Sequence, residues 1–127
     1  MTSIADRLLV FAGACAGLAG VATSAAAAHV TGPGSLATAA QFLLFHAPVL
    51  LALPALAGTG AIDRRTGSGA GLALAIGLAL FSGDLALRAM AGRPLFPNAA
   101  PAGGILLMAG WAGIAVAALI ARRTPHE

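Results

Sequence analysis

Asp84 and Arg88 stand four residues apart in a stretch that is otherwise uncharged from Gly69 to Ala91. On a helix this spacing puts both side chains on one face, with the acid N-terminal to the base, the favourable order for an ion pair. An ionisable group inside such a run is costly and marks a candidate functional site. Two chemistries fit the pair. In one, Arg88 extends toward the nearer membrane surface, Asp84 reaches up to it, and the two charges cancel. In the other, Asp84 is the titrating group of a proton or cation site and Arg88 sets its pKa. His46 lies near the middle of a second apolar run, where a neutral imidazole still needs a hydrogen-bond partner. Ser82, Asp84 or a carbonyl released by Pro48 or Pro54 would serve, and a relay through His46 and Asp84 would move protons.

The other polar residues suggest less chemistry. His29 closes the first apolar run, and with Gln41 and Asn98 it adds hydrogen-bonding capacity on the same outer side. Trp111 falls near the middle of the last run, so it reads as a packing residue whose indole N–H needs a buried acceptor. Two histidines at different depths do not share a haem iron, and no third ligand accompanies them for zinc, so neither a metal nor a cofactor is expected. The single Cys15 has no second cysteine to pair with in the chain. No nucleophile with a base and no phosphate-binding loop is present, so no enzyme is expected.

The elements that must carry these residues follow from composition. Of 127 residues 59% are hydrophobic and 9% charged, too few charges to cover a water-facing surface. Four runs, about 8–28, 36–57, 69–91 and 101–121, each approach or exceed the roughly 20 helical residues that cross a hydrocarbon core. The chain therefore reads as one four-span domain over 1–127: an all-α membrane protein of four antiparallel transmembrane helices in a compact bundle. Breaker-rich loops at Val30 to Ser35, Gly58 to Ser68 and Gly92 to Ala100 are short enough to make successive helices neighbours.

All seven basic residues are arginines. Arg7, Arg64, Arg65, Arg122 and Arg123 fall on one side of the four-span pattern, with only Arg88 and Arg93 toward the other. Basic residues favour the cytoplasmic side, so both termini are expected in the cytoplasm, in a multi-pass protein of the cell membrane, the inner membrane in a bacterium. The net charge of +3 and a pI near 11.2 do not point to nucleic acid, because no basic patch interleaved with aromatics exists; lipid phosphates are the natural partners. Arg7, the following apolar stretch and Ser24 to Ala28 also imitate a secretory signal. The stretch exceeds the 7 to 15 residues of a signal core and Asp6 offsets Arg7, which favours a retained span.

Within lipid, helices associate through close backbone approach at small residues. Stripes at spacing four are expected to provide it: Gly13, Gly17, Val21 and Ala25 in the first helix, then Gly67, Gly71, Ala75, Ala79 and Gly83 in the third. Ala109, Gly113, Ala117 and Ala121 form the stripe in the fourth, with Gly103, Gly104 and Gly110 nearby. Pro48 and Pro54 interrupt the hydrogen-bond ladder of the second helix, where a kink or widening is expected.

Three segments resemble a known family. They are the glycine-rich first helix ending in His29, the stretch from Thr38-Ala39-Ala40 through Phe45-His46-Ala47, and Leu80-Phe81-Ser82-Gly83 followed by Pro101-Ala102-Gly103-Gly104 and Ala109-Gly110-Trp111. Together they resemble the small four-helix membrane proteins of the YgdD type, or domain of unknown function 423, whose animal relatives are called transmembrane protein 256. The resemblance covers nearly the whole chain. It implies a four-helix membrane fold and no catalytic residues.

The function expected from these readings is that of a small non-enzymatic accessory or scaffold protein that associates with itself or with a larger membrane complex. The alternative is a small transporter or proton-conducting protein using Asp84, Arg88 and His46. Against it, small multidrug exporters of similar size use an acid in the first span, and none lies between Leu8 and Ala28.

Overall fold

Two of the helices begin at side-chain caps that the sequence supplies. In the computed structural model, which describes residues 2–29 and 34–122, the chain forms α1 (Ile4–Ala27), α2 (Ser35–Gly58), α3 (Arg64–Ala91) and α4 (Ala99–Leu119). Ser3 and Asp6 form a reciprocal capping box: Asp6 N–H donates to Ser3 Oγ at 3.1 Å, and Ser3 N–H donates to Asp6 Oδ2 at 2.9 Å. Asp63 caps α3 by accepting from Thr66 N–H at 3.0 Å and Thr66 Oγ1–H at 2.9 Å. These caps start α1 and α3 earlier than hydropathy suggests, at Ile4 rather than Leu8 and at Arg64 rather than Gly69. Polar first turns lower local hydropathy while leaving the helix intact. The loop expected over Gly58 to Ser68 accordingly narrows to 59–63. Most of the first loop, 30–33, and Arg123 lie outside the described residues.

Stop signals are equally local. Gly92 ends α3 at φ 69°, where a residue without Cβ is favoured, and Asn98 precedes α4 at φ 65°, a left-handed conformation asparagine tolerates better than most residues. α2 continues as one helix through Pro48 and Pro54.

All four helices are long and apolar enough to cross a membrane, so the chain is an all-α bundle of four candidate spans. Packing runs in chain order: α1 lies against α2, α2 against α3 and α3 against α4, with a lighter contact between α1 and α3. The core joins Leu9 and Ala16 of α1, Leu50 and Leu53 of α2, Leu74 and Leu78 of α3, and Leu107 and Ala117 of α4. Ile62 plugs it from the 59–63 loop, and Asp63 N–H donates to the Ala117 carbonyl at 2.9 Å, tying that loop to the end of α4.

The packing faces differ from stripes of constant spacing four. On α1 the buried residues are Asp6, Leu9, Gly13, Ala16 and Gly20, alternating steps of three and four. Gly17 only reaches ordinary contact with Ala47, and Val21 is exposed. On α3 the expected stripe begins in the core at Gly67 and Gly71 and ends exposed at Ala79, with no atom within 4 Å of a Cβ built on Gly83. A step of four residues overshoots a helical turn by about 40°, so five such positions drift through about 160° and leave the interface.

The seam between α3 and α4 uses the expected Gly103, Gly110 and Gly113 of α4, together with Gly77, which lies outside the expected α3 stripe. A Cβ on Gly103 would lie 2.6 Å from Phe81 N and 2.7 Å from Gly77 O, so two backbones touch there. Gly110 and Gly113 pack against Leu74 and Ala70, while Gly104 has room, its nearest neighbour being Phe81 at 3.9 Å.

The Thr66 backbone N–H, joined by its hydroxyl, holds the Asp63 carboxyl below its ordinary pKa of 3.8. A carboxyl whose pKa is lower folded than unfolded stabilises the fold above the unfolded value and loses that contribution as pH falls through the folded one. Asp63→Ala should therefore lower the thermal midpoint in detergent by a constant amount from pH 7 to 5. Below about pH 4 the two proteins should converge. A difference that persists unchanged into strong acid would show that the carboxylate charge plays no part in the cap.

Candidate functional site

The helices bring the polar residues of the spans into two separate clusters. The first lies at the α3–α4 end. Asp84 is fully buried and accepts two hydrogen bonds, from Arg88 Nε to Oδ2 at 2.7 Å and from the Leu95 backbone N–H to Oδ1 at 2.8 Å. Both carboxylate oxygens are thereby used. Arg88, with a side chain 48% exposed, carries its guanidinium outward. The four-residue spacing formed the ion pair on one helix; the third partner, Leu95, comes from the loop beyond Gly92. Asp84 therefore also anchors the α3–α4 connection, a role invisible in the α3 sequence.

The second cluster centres on His46, 5% exposed. Its Nδ1 lies 2.7 Å from the Phe42 carbonyl, and Trp111 Nε1–H donates to its Nε2 at 3.1 Å. A carbonyl oxygen can only accept and an indole N–H can only donate. The ring is thus the neutral tautomer with its proton on Nδ1, both nitrogens engaged. Phe42 of α2 stacks on the imidazole at 5.7 Å, Trp111 of α4 meets it edge-on at 5.7 Å, and Phe81 of α3 lies behind Phe42 at 4.5 Å.

The expected partners of His46 are thereby corrected. Neither Ser82 nor Asp84 bonds to it: Ser82 Oγ–H donates to the Ala39 carbonyl at 3.1 Å, stitching α3 to α2. Nor is its carbonyl acceptor one freed by proline. Those would be Leu44 and Leu50, four residues before Pro48 and Pro54, whereas the acceptor is Phe42. Among the described residues, no hydrogen bond joins the histidine cluster to the carboxylate cluster. His29 and Gln41 are exposed, as is Asn98, which shapes the start of α4 through its backbone and makes no side-chain cap.

Trp111→Phe keeps the ring packing and removes the donor, leaving His46 Nε2 buried without its partner. A loss of about 1–3 kcal/mol is expected. It would be measured by thermal unfolding in detergent. His46→Leu in the Trp111→Phe background should then cost less than in wild type, because the pair acts as one unit.

A third polar contact was missed by the sequence reading. Asp6 is 3% exposed, and Arg64 Nη1 donates to its Oδ2 at 2.7 Å, joining the first turns of α1 and α3. Asp6 thus pairs with Arg64 rather than with its neighbour Arg7. The helical start at Ile4 also places an acid inside the first helix, where the run from Leu8 had none. The available signal was the Ser3-x-x-Asp6 pattern, a capping box that announces an earlier helix start. Asp6 Oδ1 is buried without a hydrogen-bond partner among the described residues.

Four apolar spans with internally bonded polar groups define a small multi-pass integral membrane protein. The family model described as "Protein of unknown function (DUF423)" matches residues 22–104, well over half of the chain. The protein belongs to the DUF423 family. No solved structure matches it.

Proposed function

We propose that this membrane protein is a non-enzymatic accessory or scaffold subunit, working through helix packing against copies of itself or a larger membrane complex. The observation that carries this reading is the bonding of Asp84 and His46. Both oxygens of Asp84 and both nitrogens of His46 are engaged within the fold, and the two clusters are not connected. A proton or ion path needs polar groups that exchange partners along a route. These residues instead hold helices and a loop in place. Outward, α1 and α4 present mainly apolar side chains, among them Phe11, Leu18, Ile105 and Met108.

Orientation belongs to the same proposal. Arg7, Arg64, Arg65 and Arg122 lie at the end of the bundle that carries the start of α1 and the 59–63 loop, and this end faces the cytoplasm of a cell membrane. The test is the native mass of the protein extracted in mild detergent, with co-purifying chains identified and their stoichiometry measured. A complex of fixed stoichiometry is expected. A lone monomer, together with proton flux in vesicles that Asp84→Asn abolishes while the protein stays folded, would replace this reading with a transport role.

A further inference from the structure

Between α2 and α4 runs a cleft of about 570 Å³, floored by Phe81 of α3. It exists because α2 and α4 do not meet through their backbones; they touch where Trp111 reaches His46. From that contact the cleft extends along Met108, Ile105 and Gly104 to Pro101 and Ala100 at the start of α4. The rise from Ala100 to Trp111 is about 16 Å. Half of a hydrocarbon core is about 15 Å thick. The cleft therefore covers the depth of a single leaflet and stops at the middle of the membrane.

Its chemistry is that of hydrocarbon. The polar atoms at its inner end are already paired, since His46 Nδ1 faces the Phe42 carbonyl and Nε2 takes the Trp111 N–H. A ligand with a polar group at that depth would have to break an existing bond. A partner helix would run the full span, whereas the α4 residues lining this cleft reach only from Ala100 to Trp111, about one leaflet. We infer that the α2–α4 cleft seats one acyl chain of a phospholipid from the leaflet that holds the α3–α4 loop, its terminal methyl against Trp111 and its headgroup near Ala100.

Gly104 makes the test direct. Its Cβ position is unobstructed, so Gly104→Leu places a side chain in the cleft without the backbone clash a substitution at Gly103 would bring. Met108, 67% exposed, offers a second route through Met108→Trp. Native mass spectrometry of the detergent-released protein should show one phospholipid retained per chain. Either variant should raise the apparent Kd about tenfold, read as earlier loss of the bound phospholipid when detergent is titrated against both proteins.

Trp111 is the chain's single tryptophan, so its fluorescence reports the cleft's inner end. In vesicles of phosphatidylcholine brominated near the acyl terminus, quenching should be strong in wild type. For Gly104→Leu it should be weaker, at unchanged helical content. Equal retention in wild type and both folded variants, with equal quenching in wild type and Gly104→Leu, would overturn the inference, as would a lipid-free dimer that shields Trp111. Retention of a free fatty acid mass alone would overturn the phospholipid assignment.

Discussion

Gly103→Leu is expected to separate α4 from α3 and to give the largest loss of stability of any single substitution in the spans. Even a Cβ at this position would come within 3.0 Å of two backbone atoms, Phe81 N and Gly77 O, and backbone cannot rotate away as a side chain can. Overpacking in a well-filled core typically costs about 1–3 kcal/mol, and rigid neighbours on both sides put this site at or beyond the upper end. α4 packs by backbone against α3 alone, and its link to α2 is the Trp111–His46 side-chain contact. Gly103→Ala should already lower the thermal midpoint, Gly103→Leu should lower it much further, and Gly104→Ala should leave it nearly unchanged. Equal behaviour of the two neighbouring glycines would show that the α3–α4 seam does not pass through Gly103.

Asp84→Asn should produce the second largest effect. The carboxylate accepts from two donors, Arg88 Nε and Leu95 N–H. An asparagine offers one carbonyl and one NH2, so whichever way it turns one donor meets another donor. Arg88 loses its counter-ion, although its outward position lets it reach headgroups. A fall of roughly tenfold or more in the folded-to-unfolded ratio is expected. The double change Asp84→Asn with Arg88→Gln should recover much of the loss, since it removes the stranded cation as well. Partial recovery alone is expected, because Leu95 N–H still meets an imperfect acceptor. A second readout separates anchoring from transport. Limited proteolysis between Gly92 and Asn98 should accelerate in Asp84→Asn if the carboxylate holds that loop. An unaltered cleavage rate in a folded variant would remove the anchoring role.

Four polar contacts differ in how far apart their partners stand along the chain, and that separation governs what could be read in advance. Asp84 and Arg88 lie four residues apart on one helix, and local geometry alone brings them together. The Ser3–Asp6 box is equally local, and overlooking it shifted the start of α1 and hid the acid inside it. Asp6 and Arg64 are separated by 58 positions, and His46 and Trp111 by 65. Trp111 called for an acceptor and His46 for a partner, yet nothing in either segment names the other. Their pairing depends on the rotation of α2 and α4 about their own axes. Gly83 and Gly103 make the same point for packing: both occur in glycine-rich segments, but only one faces a neighbouring backbone.

The amino-acid sequence by itself determined the four apolar helices, their antiparallel order and the Asp84–Arg88 pair. Each follows from composition, loop length or helical pitch within a few turns of chain. Only the tertiary structure decided which glycines meet, that Asp6 binds Arg64, and that His46 is closed by Trp111. Helices in lipid gain little from burying one apolar face over another, so hydropathy does not orient them. Their rotation is set by the fit of small residues and by a few buried hydrogen bonds across long sequence distances.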